Sequence, residues 1–387
     1  MKKQYDVAAF VWPAYTGDEL RTRIFWPEGI GEWETVKNSR PKFDGHSWPR
    51  KPLWGYVNEA DPSVMEMEIN EAADHGVNVF IYDWYWYDNR PFLENCLDDG
   101  FLKAPNNDRM KFYIMWANHN VGYSWDVRNS DMEGDYTLEQ LNKSMLYTGR
   151  VSREQFEGVA DRLIDKYFKH PQYYTIGGKP VFMIFTLPIL IEGLGGVKET
   201  KAALDWFRNR CVEKGLPGVH LQLNQHQVCY EIYDGGRLMS IEEVIRYFGF
   251  ESCTNYQMIN VLKRPWGTYA DAVEKAAAGW ERMEADSPVP YFPQVCCGWD
   301  NNPRFQSVKT VQLDGACPVL FEKALRNAKA FIDAHPDRPP LITINSWNEW
   351  TEGSYLEPDD IYGYGYLDAV KDVFGEAKGE KNDISNP

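Results

Sequence analysis

Apolar residues along this chain fall into two alternating patterns. Short runs rich in β-branched and aromatic residues, at Tyr5–Trp12, Val77–Tyr85, Lys111–Trp116, Pro180–Phe185, Val219–Leu223, Phe248–Thr254, Pro290–Val295 and Leu341–Ile344, predict eight buried strands. Between them the apolar positions recur at helical spacing, with recognisable end signals. Asp61-Pro62 predicts a helix start, with Gly76 as its stop. Ser152 and Gln155 have the spacing of a capping box, and Phe156, Val159, Ala160, Leu163, Ile164, Tyr167 and Phe168 follow on one helical face until His170-Pro171. Glu199–Lys214, Tyr269–Ala285 and Pro318–Ala334 read the same way. Strands alternating with helices imply an α/β fold on a parallel sheet, and eight such units close most naturally into a single-domain (β/α)8 TIM barrel with long βα loops. No internal repeat or linker divides the chain, so residues 1–368 are assigned to the barrel and 369–387 to a C-terminal helix end and polar tail.

The units are unevenly spaced. Residues 13–60 and 117–151 are too long for simple turns and are rich in Trp, Gly, Asn and Asp. In a barrel such connections lie at the C-terminal face, where strand ends converge and active sites form. That rule gathers Trp12 and Tyr15 from the first strand, Asp83, Trp84 and Trp86 from the second, and Trp116, Asn118 and His119 from the third. The fifth contributes Asn224, Gln225 and His226, the sixth Asn255 and Tyr256, and the seventh Trp299, Asp300, Asn301 and Arg304. The eighth contributes Trp347, Glu349, Trp350 and Glu352. Amides and carboxylates suit sugar hydroxyls and flat rings suit sugar faces, so the expected partner is a carbohydrate substrate.

Composition sharpens this picture. An aromatic fraction of 15%, with 15 Trp and 23 Tyr among 387 residues, exceeds what a core needs and fits a ring-lined cleft. The net charge of −16 argues against nucleic acid or an anionic membrane surface as partner. Seven cysteines without Cys-x-x-Cys spacing read as reduced, partly buried thiols rather than a zinc or redox set. The apolar stretch Val7–Val11 is too short for a signal-peptide core or a membrane span. As written the chain is expected to be cytoplasmic, or periplasmic or exported if an N-terminal signal was trimmed.

The chemistry concentrates after the eighth strand, where Glu349 and Glu352 stand three residues apart. If the chain turns helically after Asn348, their side chains share one face, roughly 5–6 Å apart at Cβ. Walled by Trp347 and Trp350, two carboxyls that close would perturb each other and divide into proton donor and acceptor. The alternative is a solvated pair at an exposed helix start. Other residues have duller readings as well. Asp83 could be an N-cap or an arginine partner, Asp300 and Arg304 could pair with each other, and Trp84, Trp86 and Trp116 could pack under the loops. His119 and His226 read as hydrogen-bonded wall residues, because no His-x-His or His-Glu-x-x-His spacing signals a metal set. Neither a metal nor a cofactor is expected.

The segment Asn348-Glu-Trp-Thr-Glu-Gly353 resembles the Asn-Glu-Trp-x-Glu-Gly signature of glycoside hydrolase family 99, the endo-α-mannosidases and endo-α-mannanases. Continued through Tyr355-Leu-Glu-Pro-Asp359, it is similar to the WbsX-like proteins of bacterial polysaccharide gene clusters, often labelled glycosyltransferases. Pro41-Lys-Phe-Asp-Gly-His46, Asp83-Trp-Tyr-Trp86, Trp116-Ala-Asn-His119, His170-Pro-Gln-Tyr173 with Gly178-Lys-Pro180, and Gly298-Trp-Asp-Asn301 with Pro303-Arg304 resemble family segments in the same order. The resemblance implies a (β/α)8 barrel with a glycan cleft, Glu352 as general acid/base, and Glu349 as the carboxylate that engages the sugar 2-hydroxyl. It also implies retention through a 1,2-anhydro-sugar intermediate. His119 stands where many WbsX-like relatives carry an acidic residue, which changes the contacts expected around that subsite.

Three functional readings follow. The first is a retaining glycoside hydrolase acting on an α-linked polysaccharide or oligosaccharide. The second is a glycosyltransferase in surface-polysaccharide assembly. The third is a glycan-binding barrel without chemistry.

Overall fold

Eight parallel strands form the centre of the molecule: β1 (Asp6–Val11), β2 (Val79–Tyr87), β3 (Lys111–Trp116), β4 (Lys179–Ile184), β5 (His220–Asn224), β6 (Ser252–Thr254), β7 (Gln294–Cys296) and β8 (Leu341–Asn345). The computed structural model describes residues 4–48, 50–122, 125, 145–225, 232–262, 267–308 and 313–375. Hydrogen-bonded neighbours run in the order β6-β5-β4-β3-β2-β1-β8-β7. Ala8 of β1, for example, lies between Val79 of β2 and Thr343 of β8. The circle closes where the Cys253 N–H bonds Pro290 O at 2.9 Å and the Phe292 N–H bonds Cys253 O at 2.8 Å. This is the (β/α)8 barrel that the alternating pattern implies.

Around it stand α1 (Trp33–Asn38), α2 (Pro62–Asp74), α3 (Arg153–Leu163), α4 (Leu187–Leu194), α5 (Val197–Glu213), α6 (Ile241–Phe248), α7 (Tyr269–Asp286), α8 (Pro318–Ala334) and α9 (Gly365–Phe374). The end signals act as expected. Asp61 caps α2 by accepting the Ser63 N–H at 2.8 Å, Pro62 opens the helix, and Gly76 beyond its end has φ +95°, a left-handed conformation open to glycine. Ser152 and Gln155 form a reciprocal capping box at the start of α3.

β1 loses one residue at each end of the expected Tyr5–Trp12, and two strands are markedly shorter than expected, each for a local reason. Pro293 has no N–H to give the ladder, so β7 begins only at Gln294. Phe248 belongs to α6, which starts with a Ser240/Glu243 capping box and ends at Gly249 in the left-handed region, leaving β6 to start at Ser252. The boundary expected at residue 368 falls inside α9. No described helix is long and apolar enough to cross a membrane.

Side chains alternate along each strand, and this decides what reaches the cleft. On β2, Phe80, Tyr82 and Trp84 face the helical layer, where Tyr82 meets Phe101 and Trp84 meets Trp116. Asp83 and Tyr85 face the barrel axis and line its mouth. Deeper in the barrel polar groups pair with each other, Tyr113 with Gln222 at 3.0 Å and Thr254 with Thr343 at 3.0 Å.

Candidate active site

The segment after β8 is a tight hairpin. Asn348–Glu349 pairs antiparallel with Ser354–Tyr355, and a 3-10 turn over Trp350–Glu352 joins them. Ser346 is the clasp: its Oγ accepts the Glu349 N–H at 2.8 Å and donates to Ser354 O at 2.7 Å. The hairpin is tied to β1 through the Trp347 N–H to Phe10 O, 2.7 Å, and the Trp12 N–H to the Asn348 side chain, 2.7 Å. Gly353 ends the turn at φ +63°, and a Cβ there would lie 3.2 Å from the Asp300 side chain. These bonds fix Glu349 and Glu352 at the mouth of a pocket of about 250 Å³.

One cation serves several acids. Arg304 Nη1 is 2.8 Å from Glu352 Oε1, while Nη2 donates to Thr351 Oγ1 at 2.8 Å and stands 3.5 Å from Glu349 Oε2 and 3.6 Å from Glu32 Oε1. Glu32 is fully buried and also takes the Trp12 indole N–H at 2.5 Å and the Thr351 hydroxyl at 3.1 Å. The Tyr256 hydroxyl is 3.1 Å from both Asp83 Oδ2 and Glu349 Oε1. A phenol has one proton to give, so two carboxylates at that oxygen compete for it, and a proton on either carboxyl resolves the conflict. Asp83 Oδ1 and Glu349 Oε2 are buried without a hydrogen bond among the described residues.

Burial drives the acids upward. Glu349 is pushed well above the usual glutamate range by desolvation, then by the charge of Glu352, with Arg304 opposing. Glu352 is raised by burial but held back by Arg304 and by Gln257, whose amide is 3.4 Å from its Oε2. Asp83 is raised well above the aspartate range, chiefly by burial. His119 is lowered by burial, which favours the neutral imidazole. The pair therefore tends to retain a proton, and its two members sit in unlike surroundings.

The residues expected at the strand ends divide sharply. Trp12, Asp83, His119, Tyr256, Arg304, Glu349 and Glu352 line the pocket. Trp84, Trp86 and Trp116 lie on the outward side of their strands; Trp84 stacks on Trp86 at 5.8 Å and donates its indole N–H to Glu94 at 2.9 Å. Trp347 and Trp350 do not wall the glutamates: they point behind the hairpin, to Glu68 and Glu357, and Trp350 stacks on Tyr355 at 3.9 Å. Tyr15 sits behind the pocket, its hydroxyl accepting the Trp350 N–H at 3.2 Å and its ring 4.1 Å from Trp33. Asn118 clamps Thr186 by two backbone bonds, and Asn224 takes the Tyr256 N–H at 3.1 Å, so both hold loops. Asp300 pairs with His46 at 2.8 Å and with Asn302, not with Arg304. Trp299 is half-buried beside Leu313, and His226 lies outside the described residues.

Tyr85, Trp125, Phe185, Gln257 and Asn260 also line the pocket and were not anticipated. Period-2 alternation from Asp83 would have found Tyr85. Glu32 carries no sequence signal, because nothing in the loop after β1 marks it as buried.

Two curated relatives, each described as "Uncharacterized protein WxcX" and from strains of Xanthomonas campestris pv. campestris, are 26% identical over 364 residues, covering 94% of this chain and 49% of theirs. The chain spans about half the length of the curated relatives it matches. Among solved structures, a "Glycoside hydrolase-like protein" superposes with TM-score 0.59 at 15% identity, over 97% of this chain and 95% of that one. The GH99 endo-alpha-mannosidase from Bacteroides thetaiotaomicron superposes with TM-score 0.55 at 13% identity, over 95% and 96%. At such identities the likeness is one of fold. A family model described as "Glycosyltransferase WbsX" matches residues 7–370, nearly the whole barrel, and the chain belongs to that family.

Proposed function

We propose that this protein is a glycoside hydrolase acting on an α-linked polysaccharide or oligosaccharide, with Glu349 and Glu352 as its reacting pair. The observation that carries the reading is the convergence of Glu349, Glu352, Asp83, Tyr256 and Arg304 on one aromatic-walled pocket at the C-terminal face of the barrel. Glu349 would take the proton of the sugar 2-hydroxyl as the 2-oxygen attacks the anomeric carbon. The glycosidic bond breaks, and its oxygen leaves with a proton from Glu352. Water then opens the 1,2-anhydro sugar at the anomeric carbon, giving its proton to Glu352, while Glu349 returns the first proton to the 2-oxygen.

The protein's own charges favour the opposite assignment of the proton. Arg304 bonds Glu352 directly and favours its ionised form, whereas Glu349 is the more strongly raised of the two. Under this reading a bound sugar shifts the proton, its 2-hydroxyl bonding Glu349 and its bridging oxygen taking up Glu352. The pH dependence of kcat/KM then reports the pair rather than either residue.

A panel of linkage-diverse α-glycans, read by product analysis, is the test. One glycan should be cleaved, and Glu352→Gln should still bind it while losing turnover by orders of magnitude. Normal turnover in that variant would overturn the assignment. The family description supports a second reading, transfer of a sugar to a carbohydrate acceptor. Elongation of an acceptor from nucleotide sugars, with no hydrolysis of any glycan in the panel, would favour it.

A further inference from the structure

Behind the catalytic hairpin lies a second acidic cluster that the chemistry above does not use. Glu59 from the loop before α2, Glu68 on α2 and Glu357 beyond the hairpin are 0%, 1% and 3% exposed. One carboxylate oxygen from each lies within 4.8 Å of the others. The charges that Glu59 feels are those of Glu68 and Glu357, and among the described residues no basic side chain pairs with any of the three. Each accepts from the hairpin: Glu68 from the Trp347 indole at 3.1 Å, Glu59 from the Asn348 amide at 2.9 and 3.0 Å, and Glu357 from the Trp350 indole. The Cys96 thiol adds a contact to Glu59 at 3.5 Å. After these donors are assigned, Glu68 Oε1 and Glu357 Oε1 remain buried with no hydrogen-bond partner among the described residues. An ionised carboxylate oxygen buried without a donor is strongly unfavourable unless a proton or a cation meets it.

We propose that Glu59, Glu68 and Glu357 bind a structural calcium ion that anchors the catalytic hairpin from behind. Three carboxylates supply six oxygens, the hard ligand set calcium takes. Two oxygens bound to one calcium at about 2.3–2.6 Å can stand up to about 5.2 Å apart, and the three ligand atoms meet that limit. Magnesium is usually held through one or two carboxylates and keeps several of its waters, so three converging carboxylates favour calcium. The ion would neutralise two of three negative charges. Through Trp347, Asn348 and Trp350 it would also fix the residues on either side of Glu349.

The proposal rests on no catalytic assignment, and its readouts are metal content and stability. The full chain is purified with millimolar calcium chloride, desalted and measured by elemental analysis. About one calcium per chain is expected, with a melting temperature lowered by EGTA and restored by calcium but not by magnesium. Glu357→Gln should lose the calcium and the calcium-dependent rise in melting temperature. Wild-type protein that holds no calcium, and whose melting is indifferent to EGTA and to added calcium, overturns the proposal whatever the variant does. In that case shared protons fill the site, and Glu357→Gln, which mimics a protonated carboxyl, should melt at or above the wild-type temperature.

Discussion

Replacing Arg304 with glutamine removes the cation that Glu32, Glu349 and Glu352 share. Its guanidinium lies 2.8 Å from Glu352, 3.5 Å from Glu349 and 3.6 Å from Glu32. Two unit charges about 3.5 Å apart attract by roughly 4.7 kcal/mol at an effective dielectric of about 20. Burying the guanidinium takes back much of the sum over three partners. The net loss should therefore be that of breaking one buried pair, about 3–5 kcal/mol near pH 8. The loss should depend on pH. Arg304 holds the acids down against burial, so without it their folded pKa values climb further above the unfolded glutamate value of about 4.3. A carboxyl whose folded pKa is raised contributes its full stability below the unfolded pKa and loses it as pH rises through the folded one. The gap in unfolding free energy between wild type and Arg304→Gln should thus be small near pH 5 and widen toward about pH 8. Urea unfolding across that window measures it. A gap of equal size at both ends would show that Arg304 acts by packing rather than charge, and would refute the reasoning.

Tyr256→Phe keeps the ring against Phe10 and Phe185 but removes the hydroxyl between Asp83 and Glu349. Stability should change by no more than about 1–3 kcal/mol, while kcat on the cleaved glycan falls on the order of 10²-fold, the scale of one lost preorganised donor. Steady-state kinetics beside thermal melts separate the two effects. Ser346→Ala unclasps the hairpin, leaving the Glu349 N–H and Ser354 O without partners, and should cost about 1–3 kcal/mol in chemical denaturation. Gly353→Ala forces a left-handed residue with its Cβ against Asp300 and should cost at least about 1–2 kcal/mol. A melting temperature equal to wild type would show that the turn relaxes freely.

Much of the fold was legible because its signals are local. Alternating strand and helix periods, Asp61-Pro62, Gly76 and the Ser152/Gln155 box each act within a few residues, and each recurs in the structure. The misreadings share one cause, which is orientation. Listing residues near strand ends treats both faces of a strand as equal, yet alternate side chains point oppositely. Asp83 thus enters the pocket while its neighbours Trp84 and Trp86 pack outward. Trp347 and Trp350 lie beyond strand alternation: the turn after β8 and the 3-10 turn over Trp350–Glu352 carry their rings behind the hairpin, while Glu349 faces the pocket. Partners contributed by distant loops were out of reach altogether. Glu32 lies more than three hundred residues from Thr351, to which it bonds, and nothing local marks it. Asp300 and Arg304, four residues apart, looked like a pair, but the 3-10 turn between them sends one to His46 and the other to the carboxylates.

The turn geometry of this segment explains why so many polar and aromatic residues crowd the stretch after β8. The hairpin has two faces with different tasks. Glu349 and Glu352 point forward into the pocket, each in different electrostatic surroundings, as the proposed acid–base pair requires. Trp347, Asn348 and Trp350 point backward and place their N–H groups on Glu68, Glu59 and Glu357. The forward face needs sub-ångström placement, because proton transfer depends steeply on geometry. A two-stranded hairpin is too marginal to supply that by itself. Rigidity must come from behind, and buried polar donors resting on buried carboxylates supply it more directionally than apolar packing could. The acids behind the hairpin and the acids before it are therefore parts of one device. The rear set fixes where the front set stands, and Arg304 with Tyr256 governs where its protons sit.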